Sequence, residues 1–301
     1  MTNTDRTDIY ARVTNAIIAD LENGIRPWHR PWNAEHAAGR ITRPLRGNGQ
    51  PYKGINVLML WEAAERQGFA APIWMTFKQA KILGGNVKKG EKGSLVVYAD
   101  KMTKTDASDD GEEATRDIYF MKGYTVFNVE QVEGLPGHFY AATPEPLDQL
   151  ERIEQADLFV TNTGAEIGHG GNQAFYSPTR DCIQLPPFVA FESAESYYAT
   201  LAHELTHWTK HPARLDRQLG GKRFGDEGYA REELVAEIGA AFLCCDLGIT
   251  PSPREDHAAY LANWLAVLKA DKRAIFQAAA HAQKAADHLH GLQPQALAVA
   301  A

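Results

Sequence analysis

Residues Leu201 to His211 read Leu-Ala-His-Glu-Leu-Thr-His-Trp-Thr-Lys-His, and the rest of the chain is understood by working outward from them. His203 and His207 are four residues apart, so on an α-helix both imidazoles project the same way, one turn above the other. That is the bite a tetrahedral Zn²⁺ takes from two nitrogen ligands, at roughly 2.0–2.1 Å each. Glu204, beside the first histidine, is placed to hold the attacking water and take its proton. Ser193 and Ser196 are capping candidates, and Tyr197, Leu201, Leu205 and Trp208 recur at helical spacing.

His-Glu-x-x-His is short enough to arise by chance, so a second segment has to supply the missing ligand. Tyr229-Ala-Arg-Glu-Glu-Leu-Val-Ala-Glu237 continues as strongly helical sequence. Glu233 is the expected third ligand, because three protein ligands plus water is the catalytic zinc arrangement. Glu237, at i+4 on the same face, is expected to orient a metal-binding histidine from outside. Glu232, about 100° round the helix, is expected to be solvated. The small residues Ala236, Gly239 and Ala240 would let the two helices approach closely. Zn²⁺ is the expected ion, with another divalent metal such as Mn²⁺ as the variant.

The 301 residues suffice for two domains of ordinary size. Hydrophobic content of 44% and charged content of 23% are those of a globular protein outside the membrane. No apolar run approaches the roughly 20 residues of a membrane span. The start, Met-Thr-Asn-Thr-Asp-Arg, lacks a signal-peptide pattern, and Cys182, Cys244 and Cys245 fit no disulfide framework or zinc spacing. The expectation is a cytoplasmic monomer with buried thiols.

The net charge of −7 is unevenly spread. Between Gly24 and Lys104 stand 14 Lys and Arg against 5 Asp and Glu, leaving 17 against 33 elsewhere. This basic block holds Arg26-Pro-Trp28-His-Arg30-Pro-Trp32, Arg43, Arg46, Tyr52-Lys53, Lys78, and Gly84-Gly-Asn-Val-Lys88-Lys89-Gly-Glu-Lys92. The glycines there lack the preceding strand and the spacing of a nucleotide-binding loop. A duplex reader would need a recognition helix dense in Arg, Asn or Gln, and none is evident. A single-strand binder needs a cationic groove with aromatic platforms, each stacked base contributing about 1–3 kcal/mol. Trp28, Trp32, Tyr52, Trp74, Tyr98 and Phe120 near these basic residues meet that description. Against that stands the ordinary reading, aromatics in a core and charges on a solvated face, which is favoured for Trp74 and Phe120.

The predicted class is α+β in two domains: 1–132, a linker 133–146 rich in proline, and 147–301. Helices are expected at 8–23, 56–68 and 77–83, and strands at 94–98 and 118–128 flanking a polar loop, 101–116. The second half should open with a helix at 147–156 and a strand at 158–161. A hairpin at 173–185 follows, then the two metal helices, a loop at 218–228, and two outer helices from 254, the second rich in alanine. Within 173–184 an exposed sheet edge could accept a substrate backbone as an added strand, by analogy with other zinc peptidases.

Several stretches together resemble the ArdC-type antirestriction proteins carried on conjugative plasmids. They are Gly24-Ile-Arg-Pro-Trp28 with Pro31-Trp32, Tyr52-Lys-Gly-Ile-Asn56, Trp74-Met-Thr-Phe-Lys-Gln-Ala80, Ala202 to Thr209, His211-Pro-Ala-Arg-Leu215 and Tyr229 to Glu237. The resemblance spans nearly the whole chain. It implies an N-terminal single-stranded-DNA-binding domain, of a kind also met in some plasmid primases, joined to a zincin-like metallopeptidase domain. It also implies a role in protecting incoming plasmid DNA from restriction. The DNA contacts would then fall on Arg26, Trp28, Arg30, Trp32, Arg43, Arg46, Tyr52, Lys53, Lys78, Lys88, Lys89 and Lys92. His211 or Tyr229 would steady the oxyanion, and the peptidase substrate would be an unidentified, restriction-related protein. Two other readings remain open: a non-catalytic DNA-binding shield whose metal is structural, and a cytosolic peptidase with no DNA role.

Overall fold

The computed structural model describes residues 8–28, 43–107, 113–140, 149–219, 226–249 and 257–294, without the side chains of 100–107, 113–120, 149 and 257–259. The fold is α+β in two compact units, one drawn from 1–43, 53–58 and 142–301, the other from 44–52 and 59–141. Among the described residues no helix is long and apolar enough to cross a membrane.

The smaller unit is organised on a four-stranded sheet. β1 (Leu45–Arg46) runs parallel to β2 (Ile73–Thr76). Antiparallel pairing then adds β5 (Glu113–Asn128) and β4 (Ser94–Ala107), in the order β1-β2-β5-β4. Before β2 comes α2 (Ile55–Gln67), and after it α3 (Phe77–Ile82). α3 starts where Thr76 and Gln79 exchange side-chain-to-backbone hydrogen bonds, closing a capping box. A second pair, β3 (Asn86–Val87) with β6 (Val132–Glu133), closes over a core of Met75, Ala80, Val129, Val132, Leu135 and Phe139. Gly85 lies under that core so closely that a Cβ there would stand 2.7 Å from Leu135.

Two expectations change in this unit. The loop predicted at 101–116 is mostly strand, because β4 and β5 stay in register from Ser94↔Val126 out to Ala107↔Glu113. Its polar sequence fits a ladder with solvated faces as well as a loop. The expected linker also begins later than its prolines suggest. Leu135 and Phe139 are core residues, and the Tyr140 hydroxyl donates to the Val132 carbonyl while accepting from the Leu135 N–H. Residues 141–146 lie outside the described ones.

The larger unit holds a three-stranded sheet in the order β7-β9-β8: β7 (Glu166–His169), β8 (Phe175–Ser177) and β9 (Cys182–Leu185). β7 is parallel and β8 antiparallel to the central β9. Its helices are α1 (Ile9–Glu22), α4 (Gln149–Thr163), α5 (Ala194–Trp208), α6 (Glu227–Leu247), α7 (His257–Ala270) and α8 (Ala274–Gly291). α6 is buried on nearly every side, packed by α4, α5, α7 and α8, and stops at Gly248, whose φ of +67° supplies the left-handed cap.

Here three further expectations change. The strand predicted at 158–161 is the second half of α4, where Ala156, Phe159 and Thr163 are buried at helical spacing and Leu158 faces out. The alanine-rich α8 is not an outer cover. Ala274, Ala278, Ala279, Ala282, Ala285 and Ala286 are all buried, and their small side chains let it lie close to α6. Finally, α1 belongs to this unit. Val13, Ile17 and Leu21 are buried, the helix packs on α7, and the Thr14 hydroxyl donates to the Lys272 carbonyl at 2.7 Å. Division in space therefore does not follow the division expected along the chain.

Candidate metal centre

α5 begins with Ser193 and Ser196 exchanging hydrogen bonds as its cap and runs 15 residues to Trp208. Its second half is buried on all sides, including His203, Glu204 and His207. α6 crosses it at Gly239, where a Cβ would stand 2.5 Å from the Thr206 methyl, so only glycine lets the two backbones come this near. That approach carries the acidic face of α6 up to the two histidines.

His203, His207 and Glu233 each offer one ligand atom within a single small cluster. The two Nε2 atoms are 3.1 Å apart, and each lies 3.4 Å from an oxygen of Glu233. A tetrahedron with bonds of about 2.05 Å has edges of about 3.3 Å, so these separations suit three ligands around one small ion. Donor chemistry agrees. Each imidazole has its Nδ1 beside a carboxylate, His203 by Glu237 Oε1 at 3.1 Å and His207 by Glu232 Oε1 at 3.0 Å. His207 Nδ1 hydrogen-bonds Glu232, which turns its Nε2 lone pair toward His203 Nε2 and the Glu233 carboxylate, a grouping of donor atoms that is repulsive unless a cation sits among them. The residues fit a divalent metal.

Burial opposes charge on Glu233, yet the His207 and His203 rings outweigh it and hold its carboxyl far below the ordinary range. Burial likewise pulls the His207 pKa down, and the Glu233 charge with hydrogen bonds to Glu232 and Glu233 raises it overall. Tyr229, one turn before Glu233, is kept a neutral phenol by burial, by its 3.1 Å hydroxyl contact with Tyr260 and by the Glu233 charge. A neutral phenol is a permanent donor, as an oxyanion partner must be. His211 Nδ1 accepts from the Ala213 N–H and lies 4.0 Å from Asp181. Glu204 is 2% exposed.

Glu232 corrects the sequence reading. It is buried, accepts from Arg217 Nε at Oε2 (2.9 Å) and from Nη2 at Oε1 (2.8 Å), and the same Oε1 meets His207 Nδ1 at 3.0 Å. Arg217 overcomes the burial cost and brings the Glu232 pKa down to about 2. Arg217 itself also donates to Thr209 Oγ1 and the Thr206 carbonyl. Arg214 ties the same turn to the β8–β9 connection: it donates to Asp181 and to the Trp208 carbonyl, with its guanidinium 3.7 Å above the Trp208 ring. Neither arginine stood out in the sequence, where only the His211-Pro-Ala-Arg-Leu215 run marked the turn.

The expected DNA-contacting residues divide. Trp28 is 3% exposed and packs edge-on against Trp264. Tyr52 is buried, as is Trp74, for which a core role was favoured. Arg43 grips Asp246 with two nitrogens, donates to Gln283 and lies over the Phe242 ring. Arg26 is half-buried, and Lys53 pairs with Asp287 at the surface. Arg46, Lys78, Lys88, Lys89 and Lys92 are exposed. Arg30 and Trp32 lie outside the described residues. Burial pushes the Cys244 thiol up to about 12 and the Cys245 thiol well above its ordinary value, which makes both inert, while Cys182 is only partly buried.

Known proteins bear on these two units. A family described as the N-terminal domain of anti-restriction factor ArdC matches residues 7–127, and a zincin-like metallopeptidase family matches residues 154–281. The crystal structure of the antirestriction ArdC protein from plasmid R388, metal-free, is 46% identical, with a TM-score of 0.79 over 95% of this chain and 97% of that one. The chain belongs to the ArdC antirestriction family. A second ArdC structure from R388, bound to Mn(II), matches with a TM-score of 0.76 at 44% identity, over 95% and 98% of the two chains. Uncharacterized protein y4eC of Sinorhizobium fredii is 44% identical, over 96% of this chain and 94% of its own. The Escherichia coli protein named DNA primase TraC is 41% identical over 92% of this chain, which spans only 26% of that relative. As an ArdC-family chain it thus carries the two-part ArdC architecture with a zincin-like half.

Proposed function

We propose that this ArdC-family protein protects incoming DNA from restriction through two devices: a zinc-dependent peptidase site on α5 and α6, and a single-stranded-DNA-binding surface in the smaller unit. The convergence of His203 Nε2, His207 Nε2 and one Glu233 carboxylate, at edges of 3.1–3.4 Å, carries the peptidase reading. Among the described residues the cluster has three protein ligands. That count leaves a position open, as in catalytic rather than structural zinc sites. When bound, the ion polarises a carbonyl and makes a water acidic near neutral pH.

The chain's own groups do the rest. Glu204 takes a proton from the attacking water onto its carboxylate and passes it to the departing amine. Tyr229 donates its phenolic hydrogen to the oxygen on which negative charge develops. Glu232, hydrogen-bonded to His207 Nδ1, holds that imidazole with Nε2 facing inward, and Glu237, 3.1 Å from His203 Nδ1, would do the same for the other ring. β8, at the sheet edge and packed beside α5, would take the substrate protein's backbone as an added strand.

The test compares the zinc-loaded parent with Glu204→Gln on a peptide library. Loss of about 10²–10⁴ in cleavage rate with full metal content supports the assignment. Equal cleavage by both removes Glu204 from the chemistry. Support for the DNA half comes from the basic excess in the first part of the smaller unit, 9 Lys and Arg against 4 Asp and Glu over 44–52 and 59–104, and from the ArdC N-terminal family match. Binding to a labelled single-stranded oligonucleotide should weaken steeply with salt. A salt-insensitive or absent interaction rejects that half of the reading.

A further inference from the structure

Among the described residues, the tryptophans that suggest a stacking surface in the sequence do not offer one. Trp28 and Trp74 are buried, and Tyr52 with them. Another part of the smaller unit does present solvent-exposed rings. In the β4–β5 ladder, Val96 stands opposite Tyr124 and Tyr98 opposite Lys122. Directly opposed residues project to the same side of an antiparallel pair, so these four share one face. At its inner end that face is core: Ser94, Val96 and Val126 are buried. Two residues further out it opens to solvent, with Tyr98 50% and Tyr124 46% exposed, and Lys122 exposed beside them. The two tyrosines are diagonal neighbours, about 7–8 Å apart by ladder geometry.

Resting on the single-strand reading above, we propose that Tyr98, Lys122 and Tyr124 form the base-stacking platform of this protein. Charge commits the occupant. A lysine set beside two exposed aromatic rings, on a ladder whose first strand starts inside the basic block, matches a polyanion whose π-faces are uncovered. A duplex keeps its base faces stacked inside and would need an element inserted in a groove. A solvated, twisted hairpin face suits the splayed bases of a single strand.

The experiment measures anisotropy of a dye-labelled oligothymidylate, and of a duplex of equal length, with the full chain. Four proteins are compared: the parent, Tyr98→Val/Tyr124→Val, Tyr98→Phe/Tyr124→Phe, and Lys122→Ala. Valine keeps strand propensity but cannot stack, and phenylalanine stacks. The valine pair should lose roughly 25-fold or more in affinity, about five-fold per ring at the weak end of base stacking, with its salt slope unchanged. The phenylalanine pair should stay within about two-fold, and Lys122→Ala should lower the salt slope by roughly 0.7. A parent that binds single strands while the valine pair binds equally well overturns the platform and leaves the broader reading standing. Equal or tighter duplex binding by the parent overturns it as well. A parent that binds neither probe rejects the broader reading, and the platform falls with it.

Discussion

Arg217 holds Glu232 by two parallel hydrogen bonds of 2.9 and 2.8 Å, and Glu232 in turn meets the Nδ1 of His207 at 3.0 Å. All three side chains are buried. Adjacent residues of α6 therefore flank one imidazole, Glu232 at Nδ1 and Glu233 at Nε2. Arg217→Leu leaves a buried carboxylate without its counter-ion, at a cost of about 3–5 kcal/mol. The paired change Arg217→Leu/Glu232→Leu removes both charges and should recover most of that stability while still weakening zinc binding about 10–100-fold. Urea unfolding and zinc-chelator competition read the two effects separately. Full affinity in the double variant would show that His207 needs no carboxylate behind it.

The ligand atoms and their supports should separate by degree. His203→Ala and Glu233→Ala each remove a donor, and elemental analysis after dialysis should find the metal gone. Glu237→Gln keeps all three donors and should only weaken binding, about 10–100-fold. Stoichiometric metal in dialysed His203→Ala would refute the ligand set.

Helix approach at Gly239 is a steric claim with a cross-check. Gly239→Ala drives a methyl into Thr206 and should cost about 1–3 kcal/mol. Thr206→Ala removes the atoms nearest that methyl, so the double variant should be more stable than the sum of the two single losses allows, by 0.5 kcal/mol or more. Strict additivity in urea midpoints would mean that the two helices relax apart instead.

Asp181 supplies a pH test away from the metal ligands. Its carboxyl is lowered chiefly by the Arg214 hydrogen bonds, with the Tyr176 hydroxyl adding to them against a modest burial cost. A carboxyl lowered on folding stabilises the fold at pH values above its ordinary pKa, near 3.9, and loses that effect as pH falls through the lowered value. Parent and Asp181→Asn should thus differ in urea midpoint at pH 6, and the gap should close progressively below about pH 4. A gap that persists unchanged to pH 3 would assign the effect to the turn's shape, since Asp181 sits at a φ of +51°.

What the sequence discloses about the site is what helical periodicity can carry. His203, Glu204 and His207 lie within five residues, and Glu233 with Glu237 within another five, so a 3.6-residue turn is enough to group each set. Glu232 misled because its angular offset from Glu233 points it at a turn that folds back onto the helices, through Arg217 N–H to the Lys210 carbonyl, rather than at water. Nothing local announces that return. Trp28 and Arg43 misled for a related reason. Aromatic and cationic composition describes a binding loop and a buried anchor alike, and only the distant partners Trp264 and Asp246 distinguish them. The α4 and α8 differences are of this kind too, where a neighbour rather than the local pattern decides which face is covered.

The Thr14–Lys272 hydrogen bond joins residues 258 positions apart, and α1 docks on α7 across a similar interval. A ribosome adding about 5–20 residues per second needs on the order of 13–50 s to travel that interval. Throughout that time the first helix has been made and its berth has not. The larger unit can close only near the end of synthesis, and a zincin-like fragment cut away at the chain's midpoint would be born without one of its own walls.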